Sequence, residues 1–115
     1  DVLDYLSKKY ELVILSNYFT NIQKNRLKNA KIDKYFSKVL GGDEIKLKPR
    51  PEAFLKAIYP NKKEECFMIG DSLKMDIEGA LNVGLKVIAV DYFNKLPKSD
   101  KYILIDDIKK LKEIL

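Results

Sequence analysis

Two aspartates, Asp71 and Asp76, stand just past an apolar run in Cys66-Phe67-Met68-Ile69-Gly70-Asp71-Ser72-Leu73-Lys74-Met75-Asp76. The apolar residues read as a buried strand, Gly-Asp-Ser breaks it, and Asp76 falls at about the first turn of the following helix. An aspartate at the carboxyl end of a parallel strand projects into the crevice where open α/β sheets bind ligands. Two hard oxygen ligands beside a helix N-terminus suit Mg²⁺ carrying a phosphate, because magnesium takes a few carboxylates together with substrate oxygens. The competing reading is an acidic helix start in which Asp71 and Ser72 only cap the N-terminus. This run alone leaves both open.

Two more groups could do chemistry. The apolar run Leu12-Val13-Ile14-Leu15 ends in Ser16-Asn17. A hydroxyl and free backbone N–H groups at a strand's carboxyl end can hold a phosphoryl oxygen, although Ser-Asn is also a common way to leave a sheet. The third signal is Lys48-Pro49-Arg50-Pro51-Glu52-Ala53-Phe54. Proline stiffens the backbone after Lys48 and a helix starts at Pro51, so the ammonium has a rigid support. A cation aimed at the crevice would offset the charge of a phosphoryl group and its carboxylate attacker. Taken singly, a lysine before a proline means little.

The elements that must position these groups alternate strand and helix, with no repeat and no low-complexity stretch. Val2, Leu3 and Leu6 share one face of a short helix ending near Lys9. Leu12–Leu15 is continuous and apolar, as expected of a parallel strand covered on both faces. Thr20-Asn21-Ile22-Gln23 has capping-box spacing and opens a helix to about Ala30. A short strand is expected at Lys38–Gly41, and a helix with Pro51 at its first position and Phe54, Leu55 and Ile58 on its buried face. The strand Cys66–Gly70 leads to a helix over Leu73–Asn82, with Gly84 as a left-handed stop. Val87–Val90 and Tyr102–Ile105 read as strands, Tyr92–Lys101 as a loop, and Asp106 or Asp107 as the cap of a closing helix to Leu115. Alternation at this spacing predicts an α/β, Rossmann-like parallel sheet with flanking helices and right-handed crossovers.

Composition removes other functions. A chain of 115 residues, 46% hydrophobic and 34% charged, is expected to form one domain spanning residues 1–115. It contains no histidine, which excludes Ser-His-Asp and Cys-His catalysis and imidazole zinc sites. Chemistry must run on carboxylates, lysine, hydroxyls and metal. One cysteine, Cys66, forms no internal disulfide and fits a reducing, cytoplasmic location. No apolar run approaches the roughly 20 residues of a membrane span, and the acidic, amphipathic N-terminus does not read as a signal peptide. The net charge of +5 comes almost wholly from lysine, since only Arg26 and Arg50 are arginine. Base recognition favours arginine, and the lysines are interleaved with acids, so no nucleic-acid partner is expected.

Taken together and in this order, the three signals resemble the haloacid dehalogenase superfamily, in particular its phosphatases and phosphomutases. The strand ending in Ser16 is similar to that family's second motif, Lys48 in its Pro-x-Pro frame to the third, and Gly-Asp-Ser-x-x-x-Asp to the fourth. Leu40-Gly41-Gly42-Asp43-Glu44 and Asp76-Ile77-Glu78-Gly79-Ala80 match as well. The resemblance implies Mg²⁺-dependent phosphoryl transfer on a small phosphorylated metabolite. Ser16 and Asn17 would bind the phosphoryl group, and Lys48 would steady it and the attacking carboxylate. Asp71 would ligate Mg²⁺, and Asp76 would ligate the metal or orient its water shell.

The family's first motif, an attacking aspartate at the end of a first strand with a second aspartate two residues on, has no counterpart here. Asp1-Val2-Leu3-Asp4 reads as helix, and Asp106-Asp107 are adjacent and sit where the family places its last strand and helix. The core is therefore expected to be incomplete at its N-terminus, without the first strand and any cap. In this family that strand lies between the strands carrying Ser16 and Asp71. Those two must then either pair directly or leave a gap with unpaired backbone groups. The expectation is a fragment of a longer phosphatase, inactive alone, whose sheet is completed by an N-terminal segment or a second chain. The alternative is a non-catalytic, degenerate module that binds Mg²⁺ and phosphate. A receiver-type domain is disfavoured because Leu12–Leu15 ends in serine where such a domain needs its phospho-accepting aspartate.

Overall fold

The computed structural model describes residues 2–43 and 47–115. Asp1, and Glu44 of the Leu40–Glu44 phrase, lie outside the described residues. The elements are α1 (Val2–Ser7), β1 (Leu12–Leu15), α2 (Thr20–Asn29), β2 (Phe36–Leu40), α3 (Pro51–Ile58), β3 (Phe67–Gly70), α4 (Gly79–Asn82), β4 (Lys86–Val90), β5 (Ile103–Ile105) and α5 (Leu111–Ile114). The α/β alternation is as expected, and every strand pair is parallel.

The sheet is divided. β1 pairs with β2, with Leu15 opposite Leu40. Separately, β3, β4 and β5 pair in that order, with Gly70 opposite Ala89. Of the two outcomes open to the strands carrying Ser16 and Asp71, the chain takes the gap. A cleft of about 690 Å³ lies between them, lined on one side by Val13 and Leu15 and on the other by Met68 and Ile69.

Strand β4 is the centre of the core, and its alternation explains why Val87–Val90, beyond the exposed Lys86, is apolar throughout. Ile88 and Val90 pack on one face with Val2 and Leu6 of α1, Ile105 and Leu111. Val87 and Ala89 pack on the other with Phe54 of α3, Ile77, Ala80 and Leu85. A strand buried on both faces has no position left for a polar residue.

The segment Leu73–Glu78 departs from an ordinary helix. Its N–H groups at Asp76 and Ile77 both reach the carbonyl of Ser72, at 3.0 Å each, giving a wide π-type turn that runs into α4. Gly84 stops α4 as expected. With φ +88° it lets Leu85 N–H bond Ala80 and its own N–H bond Leu81, both at 3.0 Å, the Schellman pattern.

The capping box expected at Thr20 does not form. The cap position is Phe19, without a side-chain bond, and Thr20 N–H instead donates to Asp43 Oδ1 at 2.7 Å. Ser72 does cap its helix, accepting from Met75 N–H. At the C-terminus Asp107 caps, accepting from Lys109 N–H at 2.9 Å.

Candidate active site

Ser16, Asn17, Asp71 and Asp76 follow the carboxyl ends of β1 and β3, and Lys48 leads into α3. Lys48, Asp71 and Asp76 line the cleft between the two sheets. The strongest contact among them is an ion pair. Lys48 Nζ lies 2.6 Å from Asp76 Oδ1, and the two side chains are only 12% and 10% exposed. The other oxygen, Oδ2, accepts from Ser72 N–H at 3.3 Å. Both Asp76 oxygens therefore already serve protein donors, whereas Asp71 is exposed and no described residue bonds its carboxylate.

The tight seat of Asp76 depends on Gly70. A β-carbon there would stand 2.5 Å from Asp76 Cβ and 2.6 Å from Oδ2, closer than real side chains approach. The glycine that ends β3 is needed for room at this point. Gly79 plays a similar part, since a β-carbon would meet the Phe54 ring at 2.7 Å and Pro49 at 3.0 Å. It lets α4 approach the proline frame of Lys48.

Ser16 is 8% exposed, and its hydroxyl oxygen accepts from Tyr18 N–H at 3.1 Å and from Gln23 Nε2 at 2.6 Å. Two donors use the oxygen's lone pairs, so the hydroxyl proton is the capacity left to donate to a ligand. Asn17 is placed differently from a simple phosphate ligand. Its Oδ1 accepts from Lys48 N–H at 2.8 Å and its Nδ2 donates to the Lys48 carbonyl at 3.3 Å.

Several contributors escape the sequence reading. Gln23, read there as a helix-capping residue, orients Ser16 from one turn inside α2. Asp43 ties the loop after β2 to the start of α2 through both the N–H and the hydroxyl of Thr20. These two bonds, backbone first, hold the Asp43 carboxyl below the ordinary aspartate range. Asp91, buried at the end of β4, accepts from Lys95 and Leu96 N–H groups and shapes the next loop. Asp43 stands in the family-like phrase Leu40–Glu44, but no spacing rule assigns these bonds to it, to Gln23 or to Asp91. Cys66 also lines the cleft, where burial, and after it the neighbouring Glu65, push its thiol up.

Asp106 and Asp107 are not a displaced first motif. They follow β5, on the far side of β4 from the cleft. Asp106 pairs with Lys110 at 2.7 Å, and Asp107 is occupied as a cap.

A model of the haloacid dehalogenase-like hydrolases matches residues 1–90. The chain belongs to that family. It is 34% identical over 100 residues to mouse (Mus musculus) N-acylneuraminate-9-phosphatase, an alignment covering 82% of this chain and 38% of the relative. It is 32% identical to the glyceraldehyde 3-phosphate phosphatase of Methanothermobacter thermautotrophicus, covering 99% of this chain and 55% of the relative. Among solved structures, a HAD hydrolase of Bacillus subtilis bound to magnesium superimposes with a TM-score of 0.86 at 25% identity, over 100% of this chain and 53% of that one. The chain thus spans about half or less of the length of these proteins.

The residues present fit magnesium. The donors are hard carboxylate oxygens, one of them uncommitted, and magnesium needs only one or two carboxylates when phosphate oxygens and waters fill the remaining positions. Among the described residues no cluster of three metal-binding side chains occurs, and the carboxylates at the cleft are those of Asp71 and Asp76.

Proposed function

We propose that this chain is the phosphate- and metal-binding part of a Mg²⁺-dependent phosphatase acting on a small phosphorylated metabolite in the cytoplasm. The observation that carries this reading is the largely buried Lys48–Asp76 pair, set beside the open Asp71 carboxylate at the mouth of a cleft between two unpaired parallel strand edges. The phosphatase names of the mouse and archaeal relatives support the reaction class.

Each residue then has a defined task. Ser16 donates its hydroxyl proton to a phosphoryl oxygen. Lys48 has three N–H donors; one is held by Asp76, and the others are free to bind the phosphoryl group and the attacking carboxylate. Asp76 positions Lys48 and the metal's water shell, and Asp71 is the direct ligand. Bound Mg²⁺ supplies charge neutralisation and an in-line template.

The attacking carboxylate comes from a strand inserted between β1 and β3, delivered by an N-terminal segment or a second chain. The chain alone is inert, because serine cannot attack without a base that a histidine-free site does not provide.

The test is hydrolysis of an aryl phosphate by the 115-residue chain and by a longer protein that joins it to a strand ending in Asp-x-Asp. The longer protein turns over only with Mg²⁺ and loses that activity on Asp71→Ala. Mg²⁺-dependent turnover by the chain alone, abolished by Lys48→Ala, contradicts the proposal. So does a longer protein that binds Mg²⁺ and phosphate without turnover, the behaviour of a non-catalytic module.

A further inference from the structure

The two hydrogen bonds between Asn17 and Lys48 run in opposite directions. They use the carboxamide's acceptor for the Lys48 N–H, at 2.8 Å, and its donor for the Lys48 carbonyl, at 3.3 Å. A side-chain amide used in this way imitates a neighbouring strand and fixes the peptide groups on both sides of one α-carbon. Lys48 belongs to no strand or helix, and the residue after it, Pro49, has no N–H to anchor the turn. From the pinned α-carbon the lysine chain extends to Asp76 Oδ1, at 2.6 Å. Gly42 packs close against the Asn17 backbone, whose carbonyl lies 2.4 Å from where a β-carbon on Gly42 would stand. The end of β1 is thus coupled through one side chain to the cation that the third motif supplies.

We infer that Asn17 is a positioning residue for Lys48: its carboxamide aims the ammonium across the cleft and does not bind the phosphoryl group. Only the catalytic consequence rests on the phosphatase reading. The geometric claim stands apart from it, so the test begins with a readout that needs no turnover.

In the 115-residue chain, competitive labelling with acetic anhydride, mapped by mass spectrometry, reports how accessible each lysine is. Lys48 labels slowly in the unaltered chain. Asn17→Ala raises its rate about 3- to 10-fold, the scale of one net hydrogen bond, while the exposed Lys24 and Lys86 label as before. Asn17→Asp keeps the acceptor for Lys48 N–H and loses the donor, so it falls between the two. An unchanged Lys48 rate in both variants overturns the inference. If Asn17→Ala unfolds, as Lys86 and Lys24 adduct patterns and circular dichroism would reveal, Asn17→Asp decides alone.

In the strand-completed protein, Asn17→Ala lowers kcat about ten-fold when Lys48 is present and not at all in the Lys48→Ala background, because it acts through that residue. A full, additive loss in the Lys48→Ala background means direct phosphate binding and overturns the inference. Absence of turnover in the unaltered completed protein rejects the phosphatase reading and leaves the labelling result to judge Asn17.

Discussion

The two sides of the cleft are built to different standards. On the β3–β5 side, four consecutive residues of β4 are buried, and both hydrophobic clusters are organised on that strand. On the β1–β2 side no strand residue is fully buried, although Leu12-Val13-Ile14-Leu15 is as apolar as Val87-Ile88-Ala89-Val90. The difference is one of neighbours. β4 has a strand on each edge and helices on each face, whereas β1 has β2 on one edge and the cleft on the other. The same kind of sequence yields a core strand or a half-covered one according to what flanks it. The half bearing Asp71 and Asp76 contains the strand on which both buried clusters are organised, and the half bearing Ser16 and Asn17 is the less covered of the two.

Core truncations break this comparison most forcefully. Phe54 is 1% exposed, and Phe54→Ala is expected to cost about 3–5 kcal/mol through lost burial and a residual cavity. Val13→Ala, on the cleft wall, removes two methyl groups that are already partly solvated and costs less than about 1.5 kcal/mol. Urea unfolding of both variants checks the ratio; equal losses would mean that β1 contributes to the core as β4 does.

The reasons these features were or were not legible in the sequence are physical. The β4 run, Pro51 at the start of α3 and the Gly84 stop depend on local chemistry, and their patterns carried over to the fold. The ordered Ser16, Lys48 and Asp71–Asp76 signals gave the family. What the sequence hid depends on partners far along the chain. Asn17 finds Lys48 across 31 residues, and Gln23 gives up its capping position to hold Ser16. Thr20 takes its helix cap from Asp43, and the wide turn at Leu73–Glu78 has no spacing of its own. The gap itself is one of two outcomes the sequence allows, because the choice depends on packing rather than pattern.

A smaller effect sharpens the comparison from the other side. Asp43 ties together the two loops of the weaker half, and its hydrogen bonds to Thr20 lower its pKa. A carboxyl lowered on folding stabilises the protein above its unfolded value, about 3.9, and loses that contribution as pH falls through the folded value. Stability measured at pH 7 and at pH 3 should therefore differ less in Asp43→Asn than in the unaltered chain. An identical pH dependence in both proteins would remove Asp43 as the tie between these loops.

The central claim is that one parallel strand belongs between β1 and β3, and amide hydrogen exchange tests it most directly. Ser16 N–H bonds Leu40 of β2 at 2.9 Å. Since backbone groups alternate sides along a strand, Ile14 faces β2 as well, while Val13 and Leu15 face the cleft. In the chain alone, the account predicts fast exchange at Val13 and Leu15 and slow exchange at Ile14, Ser16 and the β4 amides. Adding a peptide strand that ends in Asp-x-Asp should slow Val13 and Leu15 specifically. Protection of Val13 and Leu15 equal to that of Ile14 and Ser16 in the chain alone, or no change when the strand is supplied, would contradict it.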